Sequence, residues 1–291
     1  MRNVLPVLTV VAAIIAIWYA AAVPLNAPWA YDKAQRAGIE LSAADLVADT
    51  WAQDKPKLPV PHQVAAEIWD TTGALVLKGR GFSKRSLLYH SWVTFSATML
   101  GFLLGTGLGI LLAVGIVHNR TMDRSVMPWV IASQTVPIIA IAPMIIVVLN
   151  AVGISGLLPK AMISMYLSFF PVVVGMVKGL RSPDAMQLDQ MRTWNASRTQ
   201  TFRYLRLPSS MPYFFTSLKI AMAASLVGAI IGELPTGAVA GLGARLLAGS
   251  YYGQTVQIWS ALLMAALLAA ILVGIIGAVQ RVALARMGMG R

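Results

Sequence analysis

Charged side chains in this chain keep out of five long stretches and nearly out of a sixth. Asn3 to Tyr31, Ser86 to Asn119, Ser125 to Pro159, Ala161 to Val177 and Leu246 to Gln280 contain no Asp, Glu, Lys or Arg. Leu207 to Gly232 contains only Lys219, and Glu233 follows directly. A helix crosses the hydrocarbon of a bilayer with about 20 largely apolar residues. Only helices and closed barrels satisfy every backbone N–H and C=O there, and apolar runs of this length favour helices. Composition agrees: 57% of the residues are hydrophobic and 12% charged. Soluble domains carry about 25% charged residues. The predicted fold is an all-α polytopic membrane protein of about six transmembrane helices.

The first run has a second reading as a cleaved signal peptide, with Arg2 at its start and Ala20-Ala21-Ala22 as the cleavage site. Its apolar core from Val4 to Val23 exceeds the 7–15 residues of a signal h-region, which favours a retained helix over residues 1–23. The chain has no cysteine, which removes disulfides, thiolate metal sites and a thiol nucleophile.

The net charge of +12 would suggest nucleic acid on a soluble protein, but in a membrane protein it reads as orientation. With the N-terminus inside, the cytoplasmic pieces hold Arg2, then Arg120 and Arg124, then Lys178, Arg181, Arg192, Arg198, Arg203 and Arg206, and finally Arg281, Arg286 and Arg291. Short outer pieces hold only Lys160 and Arg245. Both termini are therefore expected in the cytoplasm, and the absence of cysteine fits a bacterial envelope protein. Lys78, Arg80, Lys84 and Arg85 run against this pattern, just before the second span on the outer side. They belong to a periplasmic segment, residues 24–85, long enough for the charge rule to lose force. Within it, His62 to Leu77 is predicted as a short helix on the membrane surface. Residues 86–285 form a core of five spans, and 286–291 a cytoplasmic tail.

The polar stretch from Arg181 to Pro212 separates the fourth and fifth spans and spells out two short helices. Ser182 is placed to cap the first, Pro183 suits its first position, and Asp184 favours its dipole. The first helix runs to about Trp194, and Asn195 suits a left-handed stop. Ser197 and Gln200 have capping-box spacing for the second helix, which Pro208 is expected to limit. Leu188 with Met191, and Phe202 with Leu205, give each helix an apolar face. Two partners satisfy that face: the chain's own helix ends, or a cytoplasmic protein.

This stretch resembles the coupling loop of ABC importer permeases, whose pattern is Glu-Ala-Ala, three residues, Gly, nine residues, Ile-x-Leu-Pro. Asp189 stands at the Glu place, Asn195 at the Gly place, Leu205 at the Ile place, and Leu207-Pro208 at the Leu-Pro place. Gln190 and Met191 replace the two alanines. Further stretches resemble the branch that carries nitrate, sulfonates and taurine: LPVPHQV, HSWVTFSATMLGFLLGTGLGI, QTVPIIAIAPMIIVV, and the run from LPSSMP to GARLL. The resemblance covers Pro59 to the C-terminus. It implies a permease that moves a small solute inward, such as a sulfonate, nitrate, taurine or a vitamin precursor. It also implies a homodimer of permease subunits, a dimer of cytoplasmic ABC ATPases docked on residues 182–208, and a periplasmic substrate-binding protein. ATP would be bound by the partner. No cofactor or metal is expected on this chain, which has neither a phosphate-binding Gly-Lys loop nor a catalytic cluster.

Among single residues, Gly101, Gly105 and Gly109 form a smooth stripe for close helix packing. Pro137 and Pro143 are predicted to interrupt the third span. Gln134, Pro137 and Glu233 are the candidates for the pathway or its gate. Glu233 is the one carboxylate at a span, followed by Pro235 and the glycines 237, 241 and 243, a place suited to an outer gate. Lys219 reads as an early-span residue that snorkels. An ion-coupled transporter or channel is the alternative, but such proteins need polar relays near the midplane.

Overall fold

The computed structural model describes residues 4–234 and 239–289, whose regular structure is all helical, with no strand among the described residues. The chain runs through α1 (Val4–Ala37), α2 (Ala43–Ala52), α3 (Pro61–Thr71), α4 (Gly73–Leu77), α5 (Leu87–His118), α6 (Arg120–Ser133) and α7 (Ile138–Ala151). It continues through α8 (Leu157–Leu180), α9 (Ala185–Thr193), α10 (Arg198–Thr201), a π turn (Phe202–Arg206), α11 (Leu207–Gly232), α12 (Leu242–Tyr251) and α13 (Thr255–Arg286). Among the described residues, α1, α5, α8, the run from Arg198 to Gly232, and α13 are each long and apolar enough to span a membrane. The bent pair α6–α7 passes the same test when its two helices are taken together, which brings the candidates to six.

Three boundaries differ from the sequence reading. The first helix does not stop near residue 23 but continues through Pro24 and Pro28 to Ala37. The third span is two helices meeting at 97°, broken between Ser133 and Ile138. Pro137 supplies the break, because its ring drives Val136 out of the α region; Pro143, expected to interrupt the span as well, sits inside α7 without ending it. The sixth span begins at Thr255 rather than Leu246, since Gly253 at φ +63° turns the chain between α12 and α13.

The chain divides into two compact units. Residues 1–91 and 244–265 form the first. Here the polar segment folds back on α1 around Asn26, which is 1% exposed. The Asn26 amide donates to Thr50 O (3.2 Å) and Leu58 O (2.9 Å), and its Oδ1 accepts from Leu58 N (3.1 Å). Gln53 Nε2 donates to Asn26 O at 3.1 Å, and Trp18 Nε1 to Pro59 O at 2.8 Å.

Residues 92–243 and 266–291 form the second unit. Its core is a cluster of Phe, Val, Leu and Met side chains that includes Phe102, Val173, Leu180 and Met222, and glycine and serine line the closest helix contacts, as expected where helices pack within lipid. Along α5, Gly101, Gly105 and Gly109 face Ser164, Ser168 and Val172 of α8, and a Cβ on any of them would overlap those side chains. Gly175 and Gly179 of α8 meet Ser217 and Ser210 of α11 in the same way. Ser164 Oγ donates to Ser225 O at 2.7 Å, and Ser225 Oγ to Thr98 O at 2.8 Å, joining three helices.

Ion pairs and caps within this unit fix which helix ends lie together. At one end Asp123 pairs with Arg181 at 2.9 Å, Arg206 donates to Leu180 O at 3.1 Å, and the rings of His118 and Phe202 meet at 4.9 Å. At the other end Thr94, Lys160 and Glu233 converge. The 24 residues of α8 separate the two ends by about 36 Å at 1.5 Å per residue. The chain thus enters α6 at the Asp123 end and enters α8 at the Lys160 end. The bent pair is a full crossing, not a loop that returns to the side it left.

Candidate functional site

Two places carry the residues that the sequence singles out, one at each end of the second unit. Glu233 caps α11 and is 0% exposed. Thr94 Oγ1 donates to both its oxygens, at 3.0 and 2.9 Å, and Gly243 N donates to Oε2 at 2.9 Å. Lys160 Nζ stands 3.9 Å from Oε1 and donates to Ala240 O at 3.0 Å. Leu242 N donates to Thr94 Oγ1 at 2.9 Å. A buried charge is tolerated when it is paired and hydrogen-bonded, and these contacts meet that requirement. Their effect is to fasten the chain from Ala240 to Gly243 onto the ends of α5, α8 and α11. Gly241, at φ +126°, lies so close that a Cβ would overlap the carboxylate. Pro235 and Gly237, read with Glu233 from the sequence, lie outside the described residues.

Sequence reasoning singled out Glu233 but none of its partners. Lys160 was noted only as an outer-side charge, and Thr94 not at all. The signal that finds them is the cost of the acid itself: a carboxylate at a span end needs donors, and Lys160 is the one cation at the start of the preceding span.

At the opposite end, the linker folds as two capped helices. Asp184, not Ser182, is the N-cap of α9: its side chain accepts from Gln187 N at 2.8 Å while Gln187 Oε1 accepts from Asp184 N at 3.2 Å. That reciprocal box outcompetes a serine two residues upstream. Asn195 takes φ +52°, alone among described non-glycine residues in the left-handed region. Ser197 and Gln200 form the second box, with 3.2 and 2.7 Å contacts.

Pro208 does not end the second helix. The chain passes through the π turn into α11, with Leu207 N bonded to Phe202 O. Pro208 falls in the first turn of α11, where its missing N–H costs little, and a wide π turn absorbs the registry change before it. The second short helix is therefore the leading end of the fifth span.

Of the eight docking candidates, Leu188, Met191, Phe202, Leu205, Leu207 and Pro208 are half-buried, while Asp189 and Asn195 are exposed. Leu188 lines a cleft of about 470 Å³ with Val117, His118, Arg192, Ala196 and Arg206, and Phe202 packs on the core. The outward apolar side chains are others: Met186 is 77% exposed, Trp194 66% and Tyr204 67%. Met186 and Trp194 lie two turns apart, on one face of α9 and its C-cap. Asp189 pairs with Arg192 at 2.8 Å beside them.

Gln134 and Pro137 both lie at the break between α6 and α7, away from either cluster in sequence. Next to that break, the Tyr166 hydroxyl of α8 donates to Ser133 O. Lys219 lies midway along α11 rather than near its end, with Nζ 3.8 Å from where a Cβ on Gly277 would stand. The bare backbone of α13 makes room for it.

Comparison with known proteins finds relatives of this sequence. The family described as binding-protein-dependent transport system inner membrane component matches residues 105–288. The formylaminopyrimidine transport permease protein ThiX of Halalkalibacterium halodurans is 32% identical over 169 residues, 58% of this chain and 66% of that one. The riboflavin transport system permease protein RibX of Chloroflexus aurantiacus is 29% identical over 224 residues, 77% and 78% of the two chains. The putative aliphatic sulfonates transport permease protein SsuC of Bacillus subtilis is 24% identical over 207 residues, 71% and 70% of the two.

Proposed function

The chain belongs to the family of binding-protein-dependent transport system inner membrane components, and from that premise we propose that it is the permease subunit of an ABC importer driven through α9. The observation that carries the reading is the capped α9–Asn195–α10 unit, continuous with a membrane span and exposing Met186 and Trp194. A separate cytoplasmic ATPase subunit docks on that face. Closure of two ATPase subunits on ATP moves α9 as a lever, and the π turn passes the movement into α11. Leu188, Met191, Phe202, Leu205, Leu207 and Pro208 hold the lever in shape, whereas Asp189 and Asn195 share the contact surface.

The α9 end faces the cytoplasm, as do both termini, and the Glu233 end faces the periplasm of a bacterial inner membrane. Basic residues concentrated at the α9 end support this orientation. Glu233, with Lys160 and Thr94, holds the outer loop as part of the gate, and Gln134 and Pro137 give the pathway its bent wall. A second copy of the chain completes the pathway; the apolar groove between α8 and α11, lined by Phe170, Val174, Tyr213 and Ile220, is a surface suited to it. A periplasmic binding protein delivers the solute. ATP is bound by the partner, and the permease itself needs no cofactor.

The cargo is a small solute. Higher identity to relatives named for formylaminopyrimidine and riboflavin than to one named for sulfonates favours a heterocyclic compound over an aliphatic sulfonate. Uptake into vesicles containing the chain, its ATPase and its binding protein tests the reading. Uptake should follow ATP and survive collapse of the proton gradient. Uptake that ignores ATP and stops with the gradient would point to the ion-coupled alternative.

A further inference from the structure

The stretch Trp69 to Lys84 lies wholly in the first unit and exposes apolar and cationic side chains side by side. Trp69 is 59% exposed, Val76 51%, Leu77 80% and Phe82 71%. Lys78, Arg80 and Lys84 are exposed among them and take part in no ion pair among the described residues. Past Asp70 the chain has no carboxylate until Asp123. Arg85, the neighbouring cation, lines a different cleft with Glu67, Asp70 and Arg245.

The stretch is a built surface. Gly79 turns the chain at φ +68°, and Arg80 N closes back on Leu75 O at 2.8 Å. Ser83 N bonds Arg80 O and Ser86 N bonds Ser83 O, each at 2.9 Å. The His90 ring, in the first turn of α5, bonds Lys84 O at 3.0 Å. This chain of contacts ties the loop to the start of α5, whose first residue, Leu87, opens a membrane span. Phe82 is five residues from that point, so extended chain alone holds it within about 17 Å of the span's first residue.

A patch so placed meets lipid headgroups. Apolar side chains in water forgo the hydrophobic term, and clustered cations without partners repel one another. Both conditions are relieved at the headgroup level, where aromatic and aliphatic groups enter the acyl boundary while Lys and Arg reach phosphates. We propose that Trp69 to Lys84 is a binding site for anionic phospholipid. Val76, Leu77 and Phe82 enter the interface, and Lys78, Arg80 and Lys84 bind the phosphate oxygens. The assignment accounts for cations on the side of the membrane where short loops avoid them, and it does not depend on what the protein transports.

The absence of native cysteine makes the test direct. The full chain carrying Leu77→Cys or Phe82→Cys, with Lys57→Cys as an exposed comparison, is labelled with an environment-sensitive fluorophore. It is then reconstituted in phosphatidylcholine mixed with phosphatidylglycerol. Quenching is read with the spin-labelled form of either lipid at equal content. Probes at positions 77 and 82 should emit blue-shifted and be quenched more by the phosphatidylglycerol form, with the probe at 57 water-like. In the Lys78→Gln, Arg80→Gln, Lys84→Gln background the quenching ratio between the two lipids should fall to one. Water-like emission at 77 and 82, or a blue shift that requires an added soluble partner, overturns the proposal. A wild-type ratio of one overturns the phosphate assignment even when the probes are shielded.

Discussion

Thr94 and Glu233 stand 139 residues apart and are joined by one hydroxyl, whose oxygen lies 3.0 and 2.9 Å from the two carboxylate oxygens. The same oxygen accepts from Leu242 N at 2.9 Å. The hydroxyl therefore bonds to the acid and to the loop that the acid also holds. Buried networks of this kind are coupled, so their members do not act independently.

Glu233→Gln keeps an acceptor for Thr94 but removes the charge that faces Lys160. Assembly is expected to survive while coupled uptake falls. Thr94→Val is expected to cost about 1–3 kcal/mol, the price of leaving a buried acceptor short of a donor. The double variant should be less destabilised than the sum of the singles, by about 0.5–3 kcal/mol, in thermal unfolding in detergent. Additive losses would show that the two residues do not act through each other.

Gly105 and Gly107 make a matched pair on α5. A Cβ at position 105 overlaps Ser168 of α8, whereas none at 107 meets anything within 4 Å. Gly105→Leu should destabilise the fold by about 1–3 kcal/mol or more, and Gly107→Leu should be close to neutral. Equal effects on unfolding temperature would contradict the α5–α8 packing.

Much of this arrangement was legible in the sequence. Charge-free runs gave the number of spans, because the bilayer leaves the backbone so few options. Asn195 and the Ser197–Gln200 box were readable because turn chemistry is local. Ser182 was misread as the cap because two capping residues stand two positions apart, and only Gln187 decides between them. Pro208 was misread as a stop because a π turn leaves no mark in residue pattern. The partners of Glu233 and the outward turn of Met186 and Trp194 depend on contacts distant in sequence, which no local pattern encodes.

Asn195 at φ +52° tests the hinge between α9 and α10. Asn195→Gly should be tolerated, since glycine takes this conformation freely. Asn195→Val should cost about 1–2 kcal/mol from the steric clash of a Cβ-branched residue there, and should uncouple ATP hydrolysis from uptake. Normal coupling in the valine variant would show that the turn does not transmit movement.

Asp123 and Arg181, paired at 2.9 Å, fix the ends of α6 and α8 on one side. In the naturally cysteine-free chain, Asp123→Cys with Arg181→Cys should cross-link readily with a short bifunctional reagent. Asp123→Cys with Lys160→Cys should not, since the length of α8 lies between them. The reverse pattern would mean that α6–α7 returns to the side it left.

The most direct measurement is purification of the tagged chain in mild detergent with its ATPase subunit, beside Trp194→Glu, Met186→Glu and Asp189→Arg. The ATPase should accompany the wild type and be lost from the three variants, each of which should keep its unfolding temperature because these side chains face outward. An ATPase retained equally by all four proteins would show that α9 is not the docking face, and the coupling mechanism proposed for this permease would be wrong.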